Sequence, residues 1–145
     1  MKIIGFACDH AGFKLKEILK KYLLENTNYD IKDFGTFSED SCDYPDFAHL
    51  LAISVEKEEC DCGIAICGTG NGINMTLNKH QSIRSALCWQ TEIAELARKH
   101  NDANICALPA RFIDADTAKN IVDTFLNTDF EGGRHLNRIN KIQIC

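Results

Sequence analysis

The sequence has no long hydrophobic run, no signal-peptide pattern and no excess of positive charge. No apolar stretch approaches the roughly 20 residues that a membrane-spanning helix needs. The apolar stretch at the N-terminus is short, and Asp9 interrupts it. The net charge of −5 argues against nucleic acid or an anionic membrane as the main partner, because both repel an acidic protein. We therefore expect a cytoplasmic protein with neither kind of partner.

Eight cysteines are many for 145 residues, yet their spacing predicts neither disulfides nor a zinc site. A chain of this length without a signal can build its own hydrophobic core and does not need cross-links. Cys60 and Cys62 are separated by one residue, where a CxxC zinc motif has two, and no second pair accompanies them. We expect free cysteines that pack as small hydrophobic side chains, and no metal.

Apolar, β-rich segments alternate with amphipathic segments along the whole chain, without a linker, repeat or low-complexity stretch. Such alternation predicts an α/β fold whose parallel sheet is covered on both faces, in a single domain over residues 1–145. Ligands of such folds bind beyond the carboxyl ends of the strands. The predicted strands are 2–8, 29–34, 62–67, 84–88 and 103–108; the predicted helices are 12–25, 45–58, 91–99 and 114–126, with a short helix from about 73 and a partly helical tail at 134–144.

Two of the predicted helices carry more specific expectations. The 114–126 helix has Asp114 at its start, where an aspartate can cap the first turn. The first helix is expected to hold its apolar residues on one side and its lysines elsewhere. That apolar side consists of Phe13, Ile18, Leu19, Tyr22 and Leu23.

Asp9 and His10 follow the first predicted strand and precede a helix. The N-terminus of a helix favours anions, so His10 is a candidate to hold a phosphate and Asp9 a candidate to hold a sugar hydroxyl. The alternative is that Asp9 only caps the helix. The sequence leaves both interpretations open.

A glycine-rich loop, residues 68–72, follows Cys67 at the end of the third predicted strand. Its amides can form an anion nest that holds a phosphate or an enediolate oxygen. The loop lacks the GxxxxGK[ST] pattern of Walker A and is not in the first βα turn, where a dinucleotide fingerprint lies. Ile73 stands where a Cys-x5-Arg phosphatase loop has arginine. A Cys67 thiolate is therefore a candidate to abstract a carbon-bound proton, and the alternative is a buried cysteine without a role.

Basic residues close the 91–99 helix and begin the tail. Cations suit a helix C-terminus, so His100 needs no function to explain it, although its imidazole near a strand edge can also shuttle protons. Arg134 and Arg138 are four residues apart and share one face of a helix. Paired guanidiniums either hold a phosphate bidentately or form a solvated basic face.

Together these segments resemble the B-type ribose-5-phosphate isomerases and the related galactose-6-phosphate isomerase subunits. Five motifs carry the resemblance, in the family's order: residues 8–13, 43–45, 66–72, 98–102 and 131–135. It implies a three-layer α/β/α, Rossmann-like domain with a five-stranded parallel sheet. It also implies a homodimer or homotetramer with sites at the subunit interface and no cofactor.

The resemblance also assigns roles to individual residues. Cys67 matches the base that moves a proton between C1 and C2, and His100 matches the group that opens the sugar ring. Thr69 and the loop amides match the groups that stabilise the enediolate. The remaining matches are substrate contacts: Asp9, His10, Tyr44, Gly68, Gly70, Asn71, Gly72, Asn101, Arg111, Arg134 and Arg138.

A second branch of that family lacks the cysteine and uses a glutamate just past the glycine loop. Ile73 holds that place here, so the sequence resembles the cysteine branch. The expected reaction interconverts ribose 5-phosphate and ribulose 5-phosphate. The alternatives are a six-carbon substrate, galactose 6-phosphate or allose 6-phosphate, and a non-catalytic phosphate-binding module, which would need neither Cys67 nor His100. We further expect His100, Asn101 and Arg111 to serve the Cys67 of a neighbouring subunit.

Overall fold

The computed structural model describes residues 1–144, which form five parallel strands and six helices. The predicted strands and helices are confirmed to within two residues, except that the tail helix stops well before residue 144. The strands are β1 (Ile3–Cys8), β2 (Asp30–Asp33), β3 (Cys62–Cys67), β4 (Ser85–Leu87) and β5 (Ile105–Pro109); the helices are α1 (Phe13–Asn26), α2 (Tyr44–Glu56), α3 (Asn71–Leu77), α4 (Thr91–Asn101), α5 (Ala115–Asn127) and α6 (Arg134–Ile139).

The strands lie in the order β2-β1-β3-β5-β4, and every neighbouring pair is parallel. The chain first builds outward from β1 to β2 and then returns past β1 to β3. The order therefore reverses between β1 and β3, which are directly paired with Cys8 opposite Ile66. In open parallel sheets such a switch point opens a crevice at the carboxyl ends of the strands. That crevice lies directly after Cys8 and Cys67.

Side chains alternate between two hydrophobic clusters, one on each face of the sheet. In β1, Ile4 and Phe6 belong to the cluster that includes residues of α1, α4 and α5. Ala7 belongs to the other cluster, which includes residues of α2 and α3. This period of two is the geometry of a strand that is buried on both faces. The three-layer α/β/α domain with a five-stranded parallel sheet is therefore confirmed.

Four of the five residues predicted for the apolar side of α1 pack into the core: Leu19 and Leu23 are fully buried, and Phe13 and Tyr22 pack against the same cluster. Lys16 is fully buried, whereas Ile18 is 41% exposed. The Lys16 ammonium donates to both carboxylate oxygens of Asp33, at 2.7 and 2.8 Å, and to the carbonyl of Thr36 at 2.6 Å. These three acceptors match its three N–H groups. The buried face of α1 therefore also contains an ion pair with the end of β2, which hydrophobic periodicity alone does not reveal.

Helix ends follow the sequence signals to different degrees. The Asp114 carboxylate accepts a hydrogen bond from the Thr117 amide at 2.7 Å, which confirms it as the cap of α5. α6 ends at Ile139, so only the first half of the predicted helical tail is helix.

Within residues 1–144, no helix has both the length and the apolar character needed to cross a membrane.

Candidate active site

Cys67 is the last residue of β3 and is only 4% exposed. Its carbonyl accepts a hydrogen bond from the Ala110 amide at 2.9 Å, and the Gly68 carbonyl accepts one from the Arg111 amide at 3.0 Å. These bonds hold the start of the glycine loop against the segment that follows β5. The thiol is therefore fixed at the switch-point crevice, at the start of the loop.

The glycine loop presents backbone amides that the described part of the chain does not use. Gly70 has a left-handed φ of +76°, which favours glycine because it has no Cβ. The Asn71 amide donates to the Thr69 hydroxyl at 3.2 Å. Within residues 1–144, the amides of Gly70 and Gly72 donate no hydrogen bond to another group. Free amides in such a turn form a nest that can bind an anion.

Two side chains flank the glycine loop. A Cβ at position 72 would stand 2.6 Å from the Tyr44 hydroxyl oxygen, so the Tyr44 ring lies directly on Gly72. A Cβ at position 68 would stand 3.2 Å from a terminal nitrogen of Arg111, whose guanidinium therefore lies against Gly68. Glycine at position 72 is required by this close approach. The loop thus has an aromatic hydroxyl on one side and a cation on the other.

Asp9 follows β1 and is 7% exposed. Its Oδ1 accepts hydrogen bonds from the amides of Ala11 and Gly12, at 3.0 and 3.1 Å. Its own amide donates to the Ile66 carbonyl at 3.2 Å, which places Asp9 beside the end of β3. Oδ1 therefore holds the turn that leads into α1, while Oδ2 makes no hydrogen bond within residues 1–144. Asp9 therefore holds the turn with one carboxylate oxygen and leaves the other available to accept a hydrogen bond from a sugar hydroxyl.

His10 is oriented by a residue that the sequence did not indicate. The Cys42 amide donates to His10 Nδ1 at 3.2 Å. Because an amide N–H only donates, Nδ1 accepts, and a neutral imidazole then carries its proton on Nε2. His10 in this tautomer offers an N–H donor at its other nitrogen. A backbone amide on a loop gives no sequence signal, which is why Cys42 was missed.

Cys8 is a second thiol at the carboxyl edge of the sheet, one residue before Asp9. Burial raises its pKa to about 12, and this outweighs the lowering effect of the nearby Lys16 charge. Cys8 therefore stays a neutral thiol at physiological pH and does not act as a base. Of the two strand-end cysteines, Cys67 is the candidate that remains.

His100 and Asn101, which were also predicted as site residues, lie at the amino edge of the sheet, opposite to Cys67. α4 leads from the carboxyl end of β4 to the amino end of β5, so His100 and Asn101 stand where the strands begin. Arg84, just ahead of β4, donates to the Asn101 carbonyl at 3.0 Å. A six-residue strand at about 3.3 Å per residue separates this edge from Cys67 by roughly 20 Å. Within one chain the two groups do not meet.

At that amino edge a cleft of about 530 Å³ is lined by His100, Asn101, Arg134, His135 and Arg138. The His100 and His135 rings stack, with centroids 4.3 Å apart and planes 16° from parallel. His135 Nε2 lies 3.5 Å from the Glu131 carboxylate. Sequence reasoning included Glu131 and His135 in a motif but did not propose them as site residues. Their spacing of four residues was the available signal.

The structure thus separates the predicted site residues into two sets. Arg111 belongs with its own chain's Cys67, although we expected it to accompany His100, because it follows β5 at the carboxyl edge. The carboxyl-edge set is Asp9, His10, Tyr44, Cys67, Gly68, Thr69, Gly70, Asn71, Gly72 and Arg111; the amino-edge set is His100, Asn101, Arg134 and Arg138.

Comparison with known proteins gives consistent matches along almost the whole chain. The ribose/galactose isomerase family matches residues 4–142. The chain is 43% identical over 142 residues to ribose-5-phosphate isomerase B of Escherichia coli, covering 98% of this chain and 95% of that protein.

Solved structures give the same result. A ribose 5-phosphate isomerase from Thermotoga maritima is 50% identical, with a TM-score of 0.96 and coverage of 98% of this chain and 97% of that one. Ribose-5-phosphate isomerase B of Mycoplasma genitalium, solved with bound ribulose 5-phosphate, is 42% identical with a TM-score of 0.92, covering 97% of this chain and 93% of that one.

Proposed function

The chain belongs to the ribose/galactose isomerase family and is an isomerase, and on that basis we propose that it interconverts ribose 5-phosphate and ribulose 5-phosphate. The relatives named for that substrate support the choice of a five-carbon sugar. The observation that carries the proposal is the position of Cys67 at the switch point, beside a loop with free amides. That arrangement supplies both a base and an oxyanion site.

In the proposed reaction, the Cys67 thiolate takes the proton from C2 of the open-chain aldose. The electron pair of that C–H bond becomes the C1–C2 double bond, and negative charge develops on the former carbonyl oxygen. The thiol then returns the proton to C1, while a proton moves from the C2 oxygen to the C1 oxygen. The product is the ketose, with no net oxidation or reduction. Cys67 is suited to this step because burial excludes water from it.

The glycine loop stabilises the negative charge that develops on the former carbonyl oxygen between the aldose and the ketose. Amides of Gly70 and Gly72 are preorganised donors, because the Gly68 and Cys67 carbonyls are already tied to the segment after β5. Thr69 braces the loop through its bond with the Asn71 amide. Asp9 Oδ2 accepts from a sugar hydroxyl, and His10 donates from Nε2 to a substrate oxygen.

Ring opening and phosphate binding require the amino-edge set, which we assign to a neighbouring subunit. His100 takes the proton of the anomeric hydroxyl and returns one to the ring oxygen as the ring opens. Arg134 and Arg138 hold the phosphate, whose binding energy positions the reacting carbons. The separation of about 20 Å within one chain supports this assignment, because a small sugar phosphate cannot span it.

Surface features beside α3 and β4 support a partner on that side. Two buried side-chain oxygens, Asn74 Oδ1 and Ser85 Oγ, have no hydrogen-bond partner within residues 1–144. Buried polar atoms of this kind are normally satisfied, by the same chain, by water or by a partner. Met75, on α3, is 65% exposed, and Ile142, which lines the same cleft as Ser85, is 60% exposed. We propose that a second copy covers this region and brings its His100 to the Cys67 of the first.

Subunit mixing tests the shared site. A Cys67→Ala chain mixed with a His100→Ala chain should recover activity, because each mixed dimer contains one complete site. With random assembly we expect about one quarter of the wild-type rate, since half of the dimers are mixed and each has one active site of two. Mixing Cys67→Ala with Thr69→Ala, two changes at the same edge, is the matched control and should give no such recovery. Verified mixed dimers without activity would contradict the shared site.

Turnover measurements test the proposed substrate. We expect kcat/KM for ribose 5-phosphate to exceed that for allose 6-phosphate and galactose 6-phosphate, assayed as ketose formed. Faster turnover of a six-carbon phosphate would transfer the proposal to that substrate. Binding of all three without any ketose would instead support a non-catalytic phosphate-binding module.

A further inference from the structure

We propose that His100, Glu131 and His135 form a binding site for a divalent transition-metal ion such as Zn²⁺, and that the bound ion inhibits the enzyme. One imidazole nitrogen from each histidine and one carboxylate oxygen all lie within 4.8 Å of one another. Two imidazoles and one carboxylate are a known ligand set for zinc. The inhibitory part of the inference rests on the proposed role of His100 in ring opening.

The ligand atoms need only small movements to reach metal-binding distances. Zinc bonds of about 2.0–2.1 Å in a tetrahedron place neighbouring ligand atoms about 3.3–3.4 Å apart. The His135 nitrogen and Glu131 oxygen are already 3.5 Å apart. The remaining separations, at most 4.8 Å, must shorten by no more than about 1.5 Å.

The surroundings of the three residues permit that movement. His135 is 9% exposed and is held in place, whereas Glu131 is exposed and His100 half-buried. The two rings stack nearly parallel, so one must rotate to aim its nitrogen at a shared ion. His100 makes no side-chain hydrogen bond within residues 1–144, so its rotation breaks none. A backbone bond of 3.1 Å, from the Glu131 amide to the Lys99 carbonyl, keeps the ligand-bearing segments together.

The charges of the cleft determine which ions fit. Arg134 and Arg138 line it, and Glu131 provides the single carboxylate among the three ligands. Mg²⁺ and Ca²⁺ need several oxygen ligands and should not bind against these cations. Zn²⁺, Cu²⁺ and Ni²⁺ bind imidazole strongly enough to bind here, with Cu²⁺ the tightest of the three. The arginines should also weaken the site relative to structural zinc sites and make it reversible.

A metal bound to His100 prevents the proposed ring opening. A coordinated imidazole nitrogen has no lone pair left to accept a proton and carries none to donate. Glu131 is exposed to solvent, so an ion can reach the three ligands and leave them again. We therefore expect inhibition that a chelator reverses.

Calorimetry with Zn²⁺ alone tests the site without reference to activity. Wild-type protein should bind one ion per chain, and Glu131→Gln and His135→Ala should each weaken binding by about tenfold or more. Glu95→Gln, on α4 beside Lys99, is the matched carboxylate control and should bind like the wild type. His80→Ala removes the other close imidazole pair, His49 with His80 at 2.7 Å, and should also have no effect.

Two results would overturn the site. One is wild-type Zn²⁺ affinity in folded Glu131→Gln and His135→Ala chains. The other is loss of binding in His80→Ala or Cys67→Ala while those two chains still bind. A chain that isomerises but binds no Zn²⁺ contradicts this inference alone. A chain that binds Zn²⁺ through Glu131 and His135 but forms no ketose after chelation contradicts the proposed function and leaves the metal site standing.

Discussion

Replacing Cys67 by alanine should lower kcat for ribose 5-phosphate by about 10²–10⁴-fold, the usual contribution of a general base. The variant keeps the loop amides, Asp9 and His10, so binding should persist and KM should change little. A fall in kcat with KM nearly unchanged is the pattern of a group that acts in the chemical step. Initial rates of ketose formation over a range of substrate concentrations measure both constants. Near-UV circular dichroism checks that the variant is folded.

Cys62→Ala is the matched control, because Cys62 stands at the other end of the same strand. Burial raises the pKa of its thiol to about 11, so it is neutral at physiological pH. This variant should isomerise at the wild-type rate. If Cys67→Ala retained full turnover of every sugar phosphate tested, another residue would be the base. If Cys62→Ala lost as much activity as Cys67→Ala, the effect would be structural and not chemical.

Elements whose signals are local could be predicted from the sequence. β3 was predicted at its observed bounds because Asp61 and Gly68 enclose a short, continuously apolar run. The glycine loop was recognisable because its residue types have direct conformational consequences, such as the positive φ of Gly70. Fold class followed from the alternation of these elements, since parallel strands need helical crossovers.

Features that depend on three-dimensional neighbours could not be predicted in this way. From the sequence, Lys16 is expected on the exposed side of an amphipathic helix. Its burial is explained by the position of Asp33 at the end of β2, where the carboxylate accepts hydrogen bonds from the Lys16 ammonium. The pairing of His100 with His135 depends on how α6 packs against α4. The edge of the sheet that a residue occupies does follow from the order of elements, since His100 comes before β5 and Arg111 comes after it. Arg111 was nevertheless grouped with His100, because no local signal shows that its guanidinium lies against Gly68 of its own chain.

Replacing Lys16 by methionine should lower the free energy of unfolding by about 3–5 kcal/mol, the usual cost of removing one partner of a buried ion pair. Methionine fills a similar volume but leaves the Asp33 carboxylate and the Thr36 carbonyl without the buried ammonium. Lys20 and the Gly35 amide still contact Asp33, at 2.6 and 2.9 Å, so the lower end of that range is expected. Urea denaturation followed by circular dichroism measures the difference.

Lys20→Met is the matched control on the same helix and the same carboxylate. Lys20 is 21% exposed, so its pair with Asp33 is partly screened by water and should contribute less than about 1 kcal/mol. A double variant, Lys16→Met with Asp33→Asn, removes both charges and should recover part of the loss. If the double variant were no more stable than Lys16→Met, lost packing and not the unpaired charge would explain the change.

The effect of Lys16→Met should also depend on pH. Burial alone would raise the pKa of Asp33, but hydrogen bonds from Lys16, Lys20 and the Gly35 amide hold it below the ordinary value of 3.8. A carboxyl group whose folded pKa is lowered stabilises the protein above its unfolded pKa, and this stabilisation disappears as pH falls through the folded pKa. The stability difference between wild type and Lys16→Met should therefore be full at neutral pH and shrink below about pH 4. A difference that stays constant down to the acid transition would show that the Asp33 charge is not its source.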